Sequence, residues 1–153
     1  MAVTVKVVYK AVGHFSKETL PKYETIGSVG MDVKANIERT EQLWSTQAVL
    51  VPTGLYVEIP IGYEIQVRPR GGLAIKNGVT VLNTPGTIDS DYRGEIGVIL
   101  INHGHECFSI LPGMRIAQLV LTTVSQIKWQ EVGELRLTDR GEGAYGSTGV
   151  SDS

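Results

Sequence analysis

Ile96-Gly97-Val98-Ile99-Leu100-Ile101-Asn102, His103-Gly104-His105-Glu106, Cys107-Phe108-Ser109-Ile110-Leu111, Pro112-Gly113-Met114, Arg115-Ile116-Ala117-Gln118-Leu119-Val120-Leu121-Thr122: three apolar runs of strand length follow one another, separated by two segments with turn chemistry. Gly and Pro punctuate, and branched residues fill the runs, which is how short strands joined by tight connections read. Working outward, the same rhythm recurs. Val79 to Leu82 ends at Asn83-Thr84-Pro85-Gly86. Gln47 to Val51, Gly54 to Ile59 and Tyr63 to Val67 are divided by Pro52-Thr53-Gly54 and Pro60-Ile61-Gly62. Val3 to Tyr9 alternates apolar and polar residues. Strands at spacings of about 8–12 residues predict an all-β sandwich or closed barrel. One short helix is expected near Gly72 to Asn77, with Gly78 as its stop.

The chain has 153 residues, enough for one domain with a single core. Hydrophobic residues make up 42% and charged residues 20%, an ordinary globular balance. A formal net charge of −2 supplies no global positive field, so nucleic acid is not an expected partner. An anionic ligand would have to be held by local Arg residues and backbone amides. With one cysteine, Cys107, no disulfide can form within the chain, which is consistent with a reducing compartment. Cys107 sits in an apolar run and reads as a small buried hydrophobe. No apolar stretch reaches membrane-spanning length and no signal-peptide run opens the chain, so the expected location is the cytoplasm, without membrane association. His14, His103 and His105 lack metal-ligand spacing and read as exposed turn residues.

Four internal segments and the tail carry the chemistry. In Arg68-Pro69-Arg70-Gly71-Gly72-Leu73-Ala74, a strand ends and a short helix begins on two residues without Cβ. Free N–H groups there, beside two guanidiniums, suit phosphate, though a tight turn with two solvated Arg residues has the same spacing. In Asn83 to Glu95, three carboxylates follow a Pro-Gly turn and precede a strong strand. One of them next to a phosphate can serve as general base on water; turn-capping Asp residues would read alike. Asp32 follows the glycine-rich Gly27-Ser28-Val29-Gly30 and by itself reads as a turn cap. Arg115 and Gln118 are polar residues in an apolar strand, so each has a buried partner or lines a site. From Arg140 to Gly149, four glycines in ten residues form neither helix nor packed strand alone, yet an Arg and a Tyr stand among them. This pattern fits a linker or a mobile segment that closes over a ligand.

In order, five segments resemble the five motifs of the trimeric dUTPase family. They are Gly30-Met31-Asp32-Val33 with Ala35; Pro69-Arg70-Gly71-Gly72-Leu73-Ala74; Asn83 with Gly86-Thr87-Ile88-Asp89-Ser90-Asp91-Tyr92-Arg93-Gly94; Arg115-Ile116-Ala117-Gln118-Leu119; and Arg140-Gly141-Glu142-Gly143 with Gly146-Ser147-Thr148-Gly149. The match runs from about residue 27 to 149. The resemblance implies a distorted jelly-roll β-barrel over residues 1–139, assembled as a threefold homotrimer, and a flexible glycine-rich tail over 140–153 that closes a site shared between subunits. It implies hydrolysis of dUTP to dUMP and pyrophosphate by water attack on the α-phosphorus, assisted by Mg²⁺ carried on the phosphates. Asp89 would activate the water. Arg70 and the amides of Gly71 and Gly72 would hold the triphosphate, with Asp32 and Gln118 orienting through waters or phosphates. Asn83 and the backbone at Gly97 would pair with uracil, and Tyr92 would lie against the deoxyribose. Arg140 would reach the phosphates and Tyr145 would cover the base. Thr87, Ile88 and Gly146 complete the implied substrate-binding set.

The chain departs from the family pattern in three places. Gly71 stands where the family usually has Ser, Ala144-Tyr145 where it has Gly-Phe, and Met114 where an Asp is common. The first would remove a hydrogen bond to the triphosphate and keeps open a second function, a dUTP-binding regulatory protein with weakened catalysis. A dCTP deaminase relative shares the fold, but the glycine-rich fifth motif and the Asp89 to Tyr92 segment match dUTPase better.

Overall fold

The alternating strands do assemble into paired layers. The computed structural model describes residues 2–12, 20–145 and 149. Among these residues, ten strands and one helix follow in the order β1 (Lys6–Tyr9), β2 (Gly30–Lys34), β3 (Glu41–Leu43), β4 (Ala48–Glu58), β5 (Tyr63–Arg68), α1 (Gly71–Asn77), β6 (Val79–Val81), β7 (Gly86–Ile88), β8 (Glu95–Asn102), β9 (Phe108–Ile110) and β10 (Arg115–Thr123). One sheet has the order β1-β4-β8-β6, the second β2-β10-β5-β7, and β3 pairs with β9 in a two-stranded ribbon. Every pairing is antiparallel, and together the sheets form a distorted jelly-roll barrel.

Period-two alternation sets the core. On β8, Ile96, Val98, Leu100 and Asn102 are buried, while Glu95, Gly97, Ile99 and Ile101 face the other way. Val51, Leu55 and Val57 of β4 join the inner face, opposite Val33, Ile65, Val67, Ala117 and Leu119 of the second sheet. Leu43 and Ile110 from the ribbon complete the same core. Burying a Val, Leu or Ile side chain contributes about 1.5–3 kcal/mol, so this cluster outweighs any single polar contact in the molecule. Asn102 is wholly buried but satisfied. Its Nδ2 donates to the carbonyls of Leu43 at 2.9 Å and Glu106 at 2.8 Å, and its Oδ1 accepts from Gly104 N.

The structure corrects the reading in places. Pro52-Thr53-Gly54 is not a turn between two strands but a bulge inside the single strand β4, where the register against β8 shifts between Pro52 and Tyr56. Gly54 takes a left-handed φ of 73°, and the Thr53 hydroxyl donates to Ile96 O at 2.5 Å. Residues of turn type thus bend a strand without ending it. The segment containing Asp32 is a strand, β2, because its other edge pairs with β10. Strands β3 and β7, each of three residues, carry too few alternations to be read alone. The first strand begins at Lys6 and not at Val3.

α1 is as expected in place and in its stop. Gly78 adopts φ 67° and its N–H reaches the carbonyls of Ala74 and Leu73. The helix buries none of its residues fully, and it rests on the barrel through half-buried Leu73 and its capped C-terminus. His103 N donates to Gly78 O at 2.8 Å. Beyond Thr123 no described residue is in a strand or helix, and Ile127, Trp129, Leu135 and Leu137 are all exposed. Among the described residues no helix is long and apolar enough to cross a membrane. His103 and His105 are exposed as expected, and His14 lies outside the described residues. Cys107 is only half-buried, with its Sγ 3.1 Å from Gln42 Oε1, because it precedes β9 at the rim of the ribbon.

Candidate active site

Two clefts collect the chemistry. The first, about 720 Å³, lies where β2, β10, the end of β5 and the head of α1 meet. Strand register places Asp32 opposite Gln118, and Gln118 opposite Arg68, so three polar residues form a row across the sheet. Pro69 turns the chain out of β5, which brings Arg70 back over β2. Arg70 Nε donates to Asp32 Oδ1 at 3.0 Å, and Arg115 Nε stands 3.9 Å from Asp32 Oδ2. Arg70 Nη1 also donates to Arg115 O at 3.3 Å. Gln118 Nε2 donates to Pro69 O at 3.0 Å, which fixes the peptide just before Arg70. Gly30 makes room for that amide, since a Cβ there would overlap Gln118 Oε1. Lys22, Lys34, Arg70 and Arg115 line the cleft against Glu24 and Asp32, so cations predominate. Gly71 and Gly72 open α1 beside Arg70, exposed, with nothing near their missing Cβ positions.

The second cleft, about 280 Å³, is walled by Leu50, Thr87, Ile88, Asp89, Tyr92, Glu95, Gly97 and Ile99. β7 leads into a turn over residues 89–94, closed by Tyr92 N to Asp89 O at 3.2 Å, and β8 returns alongside. Asp89 is exposed, and among the described residues its carboxylate makes no hydrogen bond or ion pair. Asp32 is the opposite case, with an arginine facing each oxygen. The Tyr92 hydroxyl donates to Glu95 O at 2.9 Å. The Glu95 carboxylate accepts from Gly54 N at 2.7 Å, tying this wall to the β4 bulge.

Of the residues marked from sequence, the fold gathers Thr87, Ile88, Asp89, Tyr92 and Gly97 in one cleft. It sets Asp32 and Arg70 in the other, with Gln118 adjoining them. Asn83 is exposed on the turn before β7, close to Gly86 but lining neither cleft. Arg140 Nε donates to Gly143 O at 2.9 Å, Tyr145 is fully exposed, and neither lines a cleft of its own chain. Gly146 lies outside the described residues. Among the described tail residues, left-handed φ falls on Gly141, Tyr145 and Gly149 and not on Ala144, so Ala is unstrained at its position. Reading residues in isolation missed Leu50, Glu95 and Ile99 as cleft walls. For Glu95 and Ile99 the signal was present in β8, whose odd-numbered residues must share one face with Gly97, whereas Leu50 comes from β4.

The dUTPase family model matches residues 16–149. The chain belongs to the dUTPase family. A deoxyuridine 5'-triphosphate nucleotidohydrolase of Fusobacterium nucleatum is 61% identical over 130 residues, covering 85% of this chain and 89% of that protein. One from Rhizobium rhizogenes is 56% identical over 133 residues, covering 86% and 85%. Among solved structures, a G164S dUTPase of Staphylococcus bacteriophage 80alpha with dUpNHpp superposes with a TM-score of 0.81 at 24% identity, over 96% of this chain and 99% of that one. At that identity the likeness is one of fold. In this dUTPase the matched region takes in both clefts and the tail through Gly149.

Proposed function

We propose that the protein hydrolyses dUTP to dUMP and pyrophosphate, with Asp89 as general base. The observation that carries this is the unpaired, exposed carboxylate of Asp89 on the rim of a cleft of nucleoside scale. A carboxylate already bound to arginine, as Asp32 is, has its lone pairs engaged. Asp89 takes a proton from water as the oxygen attacks the α-phosphorus. The bond from that phosphorus to the bridging oxygen breaks, and pyrophosphate leaves with the electron pair. Arg70 with the amides of Gly71 and Gly72 binds the triphosphate, oriented by Asp32 and Gln118. Asn83 and the Gly97 backbone pair with uracil, and Thr87 and Ile88 line its approach. Tyr92 lies against the sugar.

The donor set at the first cleft suits Mg²⁺ carried on substrate phosphates: Asp32 is one carboxylate facing an anion site, and a hard ion that keeps most of its waters needs no protein cage. Bound there, Mg²⁺ supplies charge neutralisation to the phosphates. Asp32 and Gln118 would meet its waters, with no direct protein ligand.

A homotrimer is supported by the outward face of the first sheet. Ala48, Leu50, Pro52, Ile99, Ile101 and Leu82 present apolar surface there, and the second cleft opens on the same face. A neighbouring copy would complete that cleft. Residues 140–153 then close it, with Arg140 on the phosphates and Tyr145 and Gly146 over the base, which accords with both side chains lying away from the clefts of their own chain. The single Cys107 suits a reducing cytoplasm.

The test is pyrophosphate release from dUTP with Mg²⁺, with dTTP, dCTP and UTP alongside and Asp89→Asn as the blank. Release from dUTP alone, abolished in the blank, is expected. Tight dUTP binding without release would favour the regulatory reading, for which Gly71 is the supporting residue.

A further inference from the structure

We infer that Gly94 and the main-chain carbonyl of Glu95 form a seat for the Tyr92 ring, and that this seat sets sugar selectivity. The ring folds back over its own chain. A methyl built on Gly94 would lie 2.5 Å from Tyr92 Cζ and 2.9 Å from Cε2, and closer still to the hydroxyl. Real carbon atoms do not approach so near, so any side chain at 94 displaces the ring. Gly94 does not have a positive φ, unlike Gly54, Gly62 and Gly78. Its missing side chain therefore serves the ring and not the backbone.

The same end of the ring is also tethered. Tyr92 Oη donates to Glu95 O at 2.9 Å. That carbonyl belongs to a residue held at its own side chain by Gly54 N. Between the two, Arg93 Nη1 donates to the carbonyls of Ser90 at 2.8 Å and Tyr92 at 3.0 Å, which pins the turn. A half-exposed aromatic ring, held over a glycine floor and by one tether, is a rigid wall of the cleft containing Asp89 and Gly97. Discrimination against one hydroxyl requires a wall that does not yield.

The inference rests on Tyr92 facing the sugar, and the experiment separates the two. The kcat/KM ratio of dUTP to UTP is measured for Tyr92→Ala, Gly94→Ala, the double variant and Tyr92→Phe. Expected is a fall of about tenfold or more in Gly94→Ala, comparable to one displaced contact in a specificity pocket. The double variant should match Tyr92→Ala, because the glycine acts through the ring. Tyr92→Phe, which removes the tether alone, should lower the ratio by a smaller factor. If Tyr92→Ala leaves the ratio unchanged, the sugar-facing reading fails and the inference with it. If Tyr92→Ala lowers the ratio and Gly94→Ala does not, or the two effects add in the double variant, the inference alone is overturned. Should Gly94→Ala lack a cooperative melt, Tyr92→Phe decides, and an unchanged ratio there overturns it.

Discussion

Two aspartates of this chain show how environment assigns roles. Asp32 is engaged by Arg70 and faces Arg115, whereas Asp89 has no partner among the described residues. Replacing Asp89 with Asn keeps shape and removes basicity. We expect turnover to fall by about 10²–10⁴-fold with dUTP binding retained, measured by single-turnover pyrophosphate release beside equilibrium binding. Gly71 gives the opposite kind of prediction. Its missing Cβ position is open, so Ser fits without displacing anything. A hydroxyl there that bonds the triphosphate more strongly in the transition state would raise kcat by about tenfold to a hundredfold. An unchanged kcat in Gly71→Ser would show the backbone cradle to be sufficient. At this scale the sequence was legible where motif and turn chemistry coincide, as in Thr87, Ile88, Asp89 and Tyr92, which the fold gathers in one cleft. Without the family resemblance, Arg115 and Gln118 read only as polar residues in an apolar strand. That they converge on Asp32 and on Pro69 follows from register across three strands, which no local reading contains.

α1 is a largely exposed element that depends on its C-cap and on Leu73. Its C-terminus depends on Gly78, where a methyl would lie 2.6 Å from Gly104 N. Gly78→Ala should cost about 1–2 kcal/mol from the left-handed backbone alone, and more from that contact. The urea midpoint at fixed protomer concentration reads the loss, and because α1 carries Gly71 and Gly72, KM for dUTP should rise as well. Strand β1 offers a pH-dependent case. Lys6 Nζ lies 2.8 Å from Glu58 Oε1, and the hydrogen bond and charge of Lys6 hold the Glu58 carboxyl below its ordinary value. A depressed carboxylate contributes stability above its unfolded value and loses it as pH falls through the folded one. Lys6→Met should therefore be slightly less stable than the parent near neutrality and indistinguishable once Glu58 is protonated, seen in melting temperature against pH. Both groups are well exposed, so salt should shrink the difference too. Elements with several alternations, β8 and β10, were plain in the sequence. β2, β3 and β7 were not, since two of them span three residues and β2 opens in a glycine-rich segment.

Over the whole molecule, the barrel leaves one sheet face apolar. Ile101→Glu would put a charge in the middle of that face, opposite Ala48 and Thr80. If the proposed homotrimer forms through this face, a threefold loss of mass is expected by sedimentation velocity, with a loss of activity that added protein does not restore. The fold class was legible from strand rhythm; the expected homotrimer rested on the family resemblance alone, because exposure of an apolar face appears only once alternation is resolved into inside and outside. The stretch beyond β10 extends the point. Ile127, Trp129, Leu135 and Leu137 lie bare along a segment without strand or helix. In the trimeric reading such side chains find cover on another copy, so folding and association become one equilibrium. Dilution then acts as a denaturant. A cell that makes few copies would hold this protein nearer its unfolding limit than one that makes many, with no change in a single residue.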